Sequence, residues 1–247
     1  MENSGWASPP RELSAESGWV HVFRLRLNLP PERLEALRAL LSPDELARAD
    51  RYRSKHDGAR FTAARGQLRA LLADYAKIDP KQITFENSPH GKPALAGVML
   101  SFNLSHSGEL ALVAVAGAGV ELGIDIETVR RDLEFERLAQ RFFAPGETAA
   151  LLALPPEQRT DAFFACWTRK EAYMKARGLG LAIPLDGFEV SLDPGDPPRL
   201  LRPAAGDPHG EEWVMLQMDP GPGYTAALCA RGPVTGIRCW DWPDRAV

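Results

Sequence analysis

The chain has 247 residues, enough for one large domain or two smaller ones around a substantial core. Its 45% apolar and 25% charged residues exclude wholesale disorder, and a formal net charge of -4 argues against a general nucleic-acid binder. No apolar run nears the ~20 residues a membrane-spanning helix needs. Cys166, Cys229 and Cys239 form no CxxC pair, so neither a zinc site nor a disulfide framework is expected, and a reduced, cytoplasmic setting is.

Residues 1–17, MENSGWASPPRELSAES, lack the basic and apolar regions of a signal peptide and are expected to form a loose tail. A strand is expected over 19–27, followed by a helix in PPERLEALRALL, where Leu34, Leu37, Leu40 and Leu41 recur at helical spacing. SPDE at 42–45 is a capping box with proline at the first helical position and opens a second helix. A third, from about Asp57 to Lys77, carries the apolar stripe Phe61, Ala64, Leu68, Leu71, Leu72 and Tyr75. Short β-like runs follow, ITFE, SFNLS, ELALVAVAG and VELGIDIE, separated by the turn signals SPHGKP, HSGE and GAG. From Asp132 the pattern returns to helix in DLEFERLAQRFF, GETAALLAL and a long segment from about Thr160 to Arg177 that GLG ends. Strand patterns close the chain in EEWVMLQM and YTAALCA. Helices followed by strands, twice over, predict an α+β protein of two related halves.

In GIDIE, Ile124 and Ile126 take one face of a strand and Asp125 and Glu127 share the other. Adjacent carboxylates repel unless a cation, a proton or solvent relieves them. In FFACWTRKEAYMKARG, helical geometry at ~100° per residue projects Glu171 into one arc with Phe163, Phe164 and Met174. A carboxylate among apolar groups must be paired or bind a cation. The plain alternative is an i,i+4 pair with Lys175, worth about 0.2–0.5 kcal/mol. Together Asp125, Glu127 and Glu171 supply three hard oxygen ligands without histidine or cysteine, which suits Mg²⁺, an ion that completes its shell with water and substrate phosphates. Anion receptors are at hand: seven Arg or Lys against two Asp lie between Arg48 and Arg69. Lys92 stands on the GKP turn, and Ser105 and His106 end a strand.

The ordered set GKPAL, FNLSHSG, GIDIE, FFAPGE and WTRKEAYMKARGLGL resembles the 4'-phosphopantetheinyl transferases, specifically the Sfp-type members with two similar α/β subdomains in one chain related by pseudo-twofold symmetry. The resemblance covers roughly residues 42–190. It implies a tail at 1–17, an N-terminal subdomain at 18–118 and a C-terminal one at 119–247. It also implies a monomeric, cytoplasmic enzyme that moves the phosphopantetheine arm of coenzyme A to a serine of an apo acyl or peptidyl carrier protein and releases adenosine 3',5'-bisphosphate. Asp125, Glu127 and Glu171 then match the Mg²⁺ acids, with Glu171, Glu127 or a metal-bound water as base, and Lys175 matches the lysine near the pyrophosphate. Lys92, Ser105 and His106 match positions around coenzyme A, and Arg48, Arg51 and Arg60 fall in the family's basic helical region. Lys170 points away from Glu171 and ranks below Lys175, while Phe142, Phe143 and Glu147 read as core. Two rival readings use the same residues differently: a Mg²⁺-dependent hydrolase of coenzyme A-like diphosphates, and a non-catalytic module that binds coenzyme A or a carrier.

Overall fold

The computed structural model describes residues 5–193 and 195–243. Its first half runs β1 (Trp19–Arg26), α1 (Pro31–Arg38), α2 (Pro43–Asp50), α3 (Lys55–Ala76), β2 (Phe85–Asn87), β3 (Pro93–Leu95), β4 (Leu100–Ser107) and β5 (Leu110–Gly117). The second repeats that order as β6 (Glu121–Thr128), α4 (Phe135–Phe142), α5 (Pro145–Ala153), α6 (Pro156–Arg177), β7 (Glu189–Val190), β8 (Leu200–Arg202), β9 (Val214–Met218) and β10 (Tyr224–Arg231). In each half the opening strand pairs antiparallel with the closing one, β1 with β5 and β6 with β10. The strand before the closing one adds on its far side, β4 beside β5 and β9 beside β10. The α+β fold of two similar halves thus stands as expected.

A last strand, β11 (Gly236–Asp241), returns to the first sheet and lies parallel to β1, giving the order β11-β1-β5-β4 against β6-β10-β9 in the second sheet. It was not foreseen. Nor is the N-terminal stretch the loose tail expected of it. Residues 1–4 lie outside the described residues, but Ala7 bridges Trp240, Trp6 donates from Nε1 to the carbonyl of Asp219, and Leu13 is buried. Burial of Leu13 and pairing along β11 together offset the entropy of ordering this stretch.

Local signals explain most boundaries. In α2 the Ser42 hydroxyl accepts from Glu45 N, the Glu45 carboxylate accepts from Ser42 N at 2.9 Å, and Pro43 occupies the first turn. α3 starts at Lys55, ahead of the expected Asp57, because Ser54 caps it. α6 ends on Gly178 at φ +64°, a left-handed cap that glycine adopts without strain. It begins at Pro156, before the expected Thr160, since proline fits the first helical turn.

Three apolar layers build the core. α3 covers one face of the first sheet through Leu68, Leu71, Phe23 and Leu25. The two sheets pack on each other through Val20, Val22, Leu112, Ile124, Ile126 and Leu228. α6 covers the outer face of the second sheet through Phe163, Ala172, Tyr173 and Ala227. Ile124 and Ile126 of β6 therefore face the middle layer, and the alternation of the strand turns Gly123, Asp125 and Glu127 toward α6.

Candidate functional site

β6 and α6 meet unusually closely. A Cβ placed on Gly123 would stand 2.2 Å from the carbonyl oxygen of Ala172 and 2.3 Å from the nitrogen of Ala176, so glycine alone admits the helix here. Glu171 and Lys175, one helical turn apart, directly precede these two alanines, which brings both beside Asp125. Lys175 Nζ donates to Asp125 Oδ1 at 2.6 Å and to Ser105 Oγ at 2.8 Å, and Ser105 Oγ in turn donates to Asp125 Oδ1 at 2.8 Å. Asp125 is 3% exposed, and its Oδ2 has no hydrogen-bond partner among the described residues. A buried, unsatisfied carboxylate oxygen is costly in a folded protein and marks a place for a ligand or ion.

The other two acids share the strain. Burial raises the pKa of Glu127, the charge of Asp125 raises it further, and the hydrogen bond from Ser107 and the charges of Lys175 and Arg130 oppose both. Glu171 is likewise raised by burial and by Asp125, with Lys175 lowering it and Glu127 raising it again. Three carboxylates thus feel one another, and a single ammonium reaches only one of them. Among the described residues no three His, Cys, Asp or Glu side chains are already drawn into a cage around an ion. The donor set nevertheless fits Mg²⁺: hard oxygens, an excess of negative charge, and an Oδ2 without a partner.

The expected anion receptors separate into groups. His106 and Arg48 line one open cleft of about 830 Å³ with Arg65, Arg69 and Lys81. Arg48 lies over the Phe61 ring at 5.0 Å. The His106 pKa is lowered by desolvation and by Lys175, Arg48 and Arg60, with Asp125 opposing. Arg60 keeps a buried Nε without a partner. Arg51 is exposed and donates to its own helix at the Ala47 carbonyl, 3.1 Å away. Lys92 lines a separate, smaller cavity of about 260 Å³ with Glu171, Met174 and Lys175; its Nζ donates to the carbonyls of Leu122 and Ala176, each at 2.9 Å, and desolvation lowers its pKa to about 8. It bolts the 90–93 turn to β6 and to the negative C-terminal end of α6.

Two further features escaped the sequence. Lys170, set below Lys175 because it points away from Glu171, is completely buried and donates to both oxygens of Glu147, at 2.7 and 2.6 Å, and to the Phe188 carbonyl at 2.8 Å. Glu147, read as core, is therefore its counterion, and the reciprocal N-terminal contact to Ala144 N at 2.9 Å was the signal that could have revealed it. Ser107, read only as part of a turn, donates to Glu127 Oε2 at 2.9 Å.

A profile of the 4'-phosphopantetheinyl transferase superfamily matches residues 121–229, and one described as 4'-phosphopantetheinyl transferase, N-terminal, matches residues 30–118. The chain is 41% identical over 231 residues to the 4'-phosphopantetheinyl transferase HetI of Nostoc sp., covering 92% of this chain and 94% of that protein. It is 31% identical over 207 residues to the 4'-phosphopantetheinyl transferase Sfp of Bacillus subtilis, covering 83% of this chain and 88% of that one. The two profiles divide close to the boundary between β5 and β6, where the structural repeat begins anew.

Proposed function

Because this chain belongs to the 4'-phosphopantetheinyl transferase family, we propose that its activity runs through Asp125, Glu127, Glu171 and Lys175, with Ser105, His106, Arg48, Arg51 and Arg60 around coenzyme A. The reaction is transfer of phosphopantetheine from coenzyme A to a serine of a carrier protein, with release of adenosine 3',5'-bisphosphate. The observation that carries the assignment is the Asp125 Oδ2, buried and without a partner among the described residues, in a group with two further carboxylates whose pKa values burial and mutual repulsion raise.

Asp125, Glu127 and Glu171 would hold Mg²⁺, which when bound supplies charge neutralisation for the diphosphate. Lys175 adds a fixed positive charge where negative charge accumulates in the transition state. The carrier serine Oγ attacks the β-phosphorus, an Oγ–P bond forms, and the bridging P–O bond breaks with its electron pair leaving on adenosine 3',5'-bisphosphate. The hydroxyl proton goes to Glu171, which lines the open cavity beside Lys175; Glu127 is the second candidate. Arg48 and His106, on one cleft wall, fix the nucleotide phosphates, arginine through its planar fork. Lys92, on the 90–93 turn, lines the cavity beside Glu171 and Lys175 and is the further candidate to meet coenzyme A.

The chain divides for this purpose into 18–118 and 119–247. Ser105 and His106 come from the first part and the acids from the second, so one chain completes the site, in support of a monomer. Among the described residues no helix is long and apolar enough to cross a membrane. The setting we propose is the cytoplasm, where the enzyme would meet apo acyl or peptidyl carriers. The test is incubation with coenzyme A, Mg²⁺ and a panel of apo carriers, followed by mass spectrometry of each carrier. Gain of one phosphopantetheine on at least one carrier is expected. Hydrolysis of coenzyme A with no carrier modified would instead support the hydrolase reading.

A further inference from the structure

We propose that Ser107 is a positioning residue for the transfer: its hydroxyl holds the Glu127 carboxylate in place for the ion, an inference that rests on Glu127 being a metal ligand. β4 is the edge of the first sheet and β6 the edge of the second, and among the described residues no backbone ladder joins them. Side chains do so instead. Asn103 Oδ1 accepts from Ile124 N at 2.9 Å, Ser105 Oγ donates to Asp125, and Ser107 Oγ donates to Glu127 Oε2 at 2.9 Å. The two strands advance in the same direction, so alternate residues of β4 meet alternate residues of β6, and each acid of GIDIE receives its own serine.

The direction of the Ser107 hydrogen bond is fixed by its surroundings. The backbone N–H of Thr128 is an obligatory donor and spends itself on Ser107 Oγ at 3.0 Å. With a lone pair so engaged, the hydroxyl hydrogen points at the Glu127 carboxylate at 2.9 Å, the nearer and charged acceptor, in preference to Thr128 Oγ1 at 3.3 Å, whose own hydroxyl can donate to Ser107. The strand turns immediately afterwards at Gly108, φ +57°, where Glu109 N donates to Tyr224 Oη at 3.0 Å and closes the end of β4 onto β10. Asp125 is held by two donors, Lys175 and Ser105. Glu127 has, among the described residues, only Ser107. Removing that hydroxyl leaves Glu127 to swing from Asp125 under their mutual repulsion, and it leaves Thr128 N without an acceptor.

The experiment measures Mn²⁺ binding by electron paramagnetic resonance, without and with coenzyme A, on the full chain and on Ser107→Ala, Ser107→Cys, Ser107→Thr and Glu127→Gln. Carrier modification kinetics run in parallel. Loss of a partner that orients a metal ligand is expected to weaken ion binding about tenfold or more in Ser107→Ala. Ser107→Cys, of the same shape but a poor donor, behaves alike and carries the test if Ser107→Ala does not fold. Ser107→Thr keeps the hydroxyl and restores binding. The Mg²⁺ concentration for half-maximal rate rises in step, while KM for coenzyme A at saturating Mg²⁺ stays put. Wild-type ion binding in Ser107→Ala and Ser107→Cys overturns the proposal, and so does a raised KM for coenzyme A with ion binding intact, which would place Ser107 on the substrate. If Glu127→Gln also binds the ion as tightly as wild type, it is the ligand assignment of Glu127 that fails; if only Glu127→Gln is impaired, the assignment stands and the positioning role falls.

Discussion

The two halves share an order of elements but divide the labour. Arg26 of β1 pairs with Leu110, the first residue of β5, as Thr128 of β6 pairs with Tyr224, the first residue of β10. Counting back from those pairs, Phe23 stands where the second half has Asp125, Leu25 where it has Glu127, and His21 where it has Gly123. In the first half the strand face under the long helix is apolar, with Phe23 and Leu25 fully buried. In the second the same face carries acids, and a glycine lets the helix close on them. The helices correspond as well. α3 and α6 are each 22 residues long, and Arg69 and Lys170 hold the same place in them. Each binds the glutamate at the third position of the preceding helix, Arg69 to Glu45 and Lys170 to Glu147. The scaffold repeats its buried ion pair and varies the strand face, so the buried support belongs to both copies and the paired acids to one.

The largest expected effect probes the shared pair. Lys170→Met leaves Glu147 buried without a counterion and is expected to cost about 3–5 kcal/mol in chemical denaturation. Arg69→Met should cost less, about 1–3 kcal/mol, because Arg65 still holds Glu45. Equal losses in the two variants would mean that the second arginine does not compensate and that the pairs are equivalent. The next effect probes what differs. Phe23→Ala opens a cavity and should cost about 3–5 kcal/mol. Asp125→Ala, at the matching position, removes a charge that Glu127 and Glu171 repel, and its stability should move by about 1 kcal/mol or less while carrier modification is abolished. A large loss of stability in Asp125→Ala, or an unchanged transfer rate, would erase the distinction between a structural and a chemical strand face.

Much of this was legible in the sequence, for a physical reason. Alternation in GIDIE and the helical position of Glu171 depend only on backbone geometry, so the shared face of Asp125 and Glu127 and the inward projection of Glu171 follow from residue types alone. The capping box at Ser42 and the glycine stop at Gly178 are likewise local. What stayed hidden is carried by partners without a side-chain signature or far along the chain. Lys92 is held by two backbone carbonyls, 30 and 84 residues away. β11 pairs with a strand more than two hundred residues earlier, and its six residues carry no strong alternation. The two halves were legible in the order of helices and strands, but the repeat at the level of residues escaped because its matching pairs conserve charge and position and change identity, arginine in one copy and lysine in the other.

The smallest effect returns to the position where the halves are most unlike. His21, opposite Gly123 in the comparison, is 2% exposed, with Nδ1 2.6 Å from Tyr75 Oη and Nε2 without a partner among the described residues. Burial lowers its pKa from 6.5 to about 4, Arg238 lowers it too, and Glu16 opposes. Between those two pH values the unfolded chain binds the proton and the folded one does not, so stability must fall as pH falls from 6.5 toward 4. Below the lower value both states are protonated and the slope from this group ends. His21→Phe removes the titrating ring, keeps an aromatic group against Trp240, 4.6 Å away between ring centroids, and strands the Tyr75 hydroxyl. Denaturation curves should show the variant less stable at neutral pH by about 1–2 kcal/mol. On acidification it should lose roughly 2–3 kcal/mol less than wild type, so the two curves converge and cross. Parallel curves across this window would show that His21 is already solvated in the fold, and that its place in the strand face is no more demanding than that of the glycine it replaces.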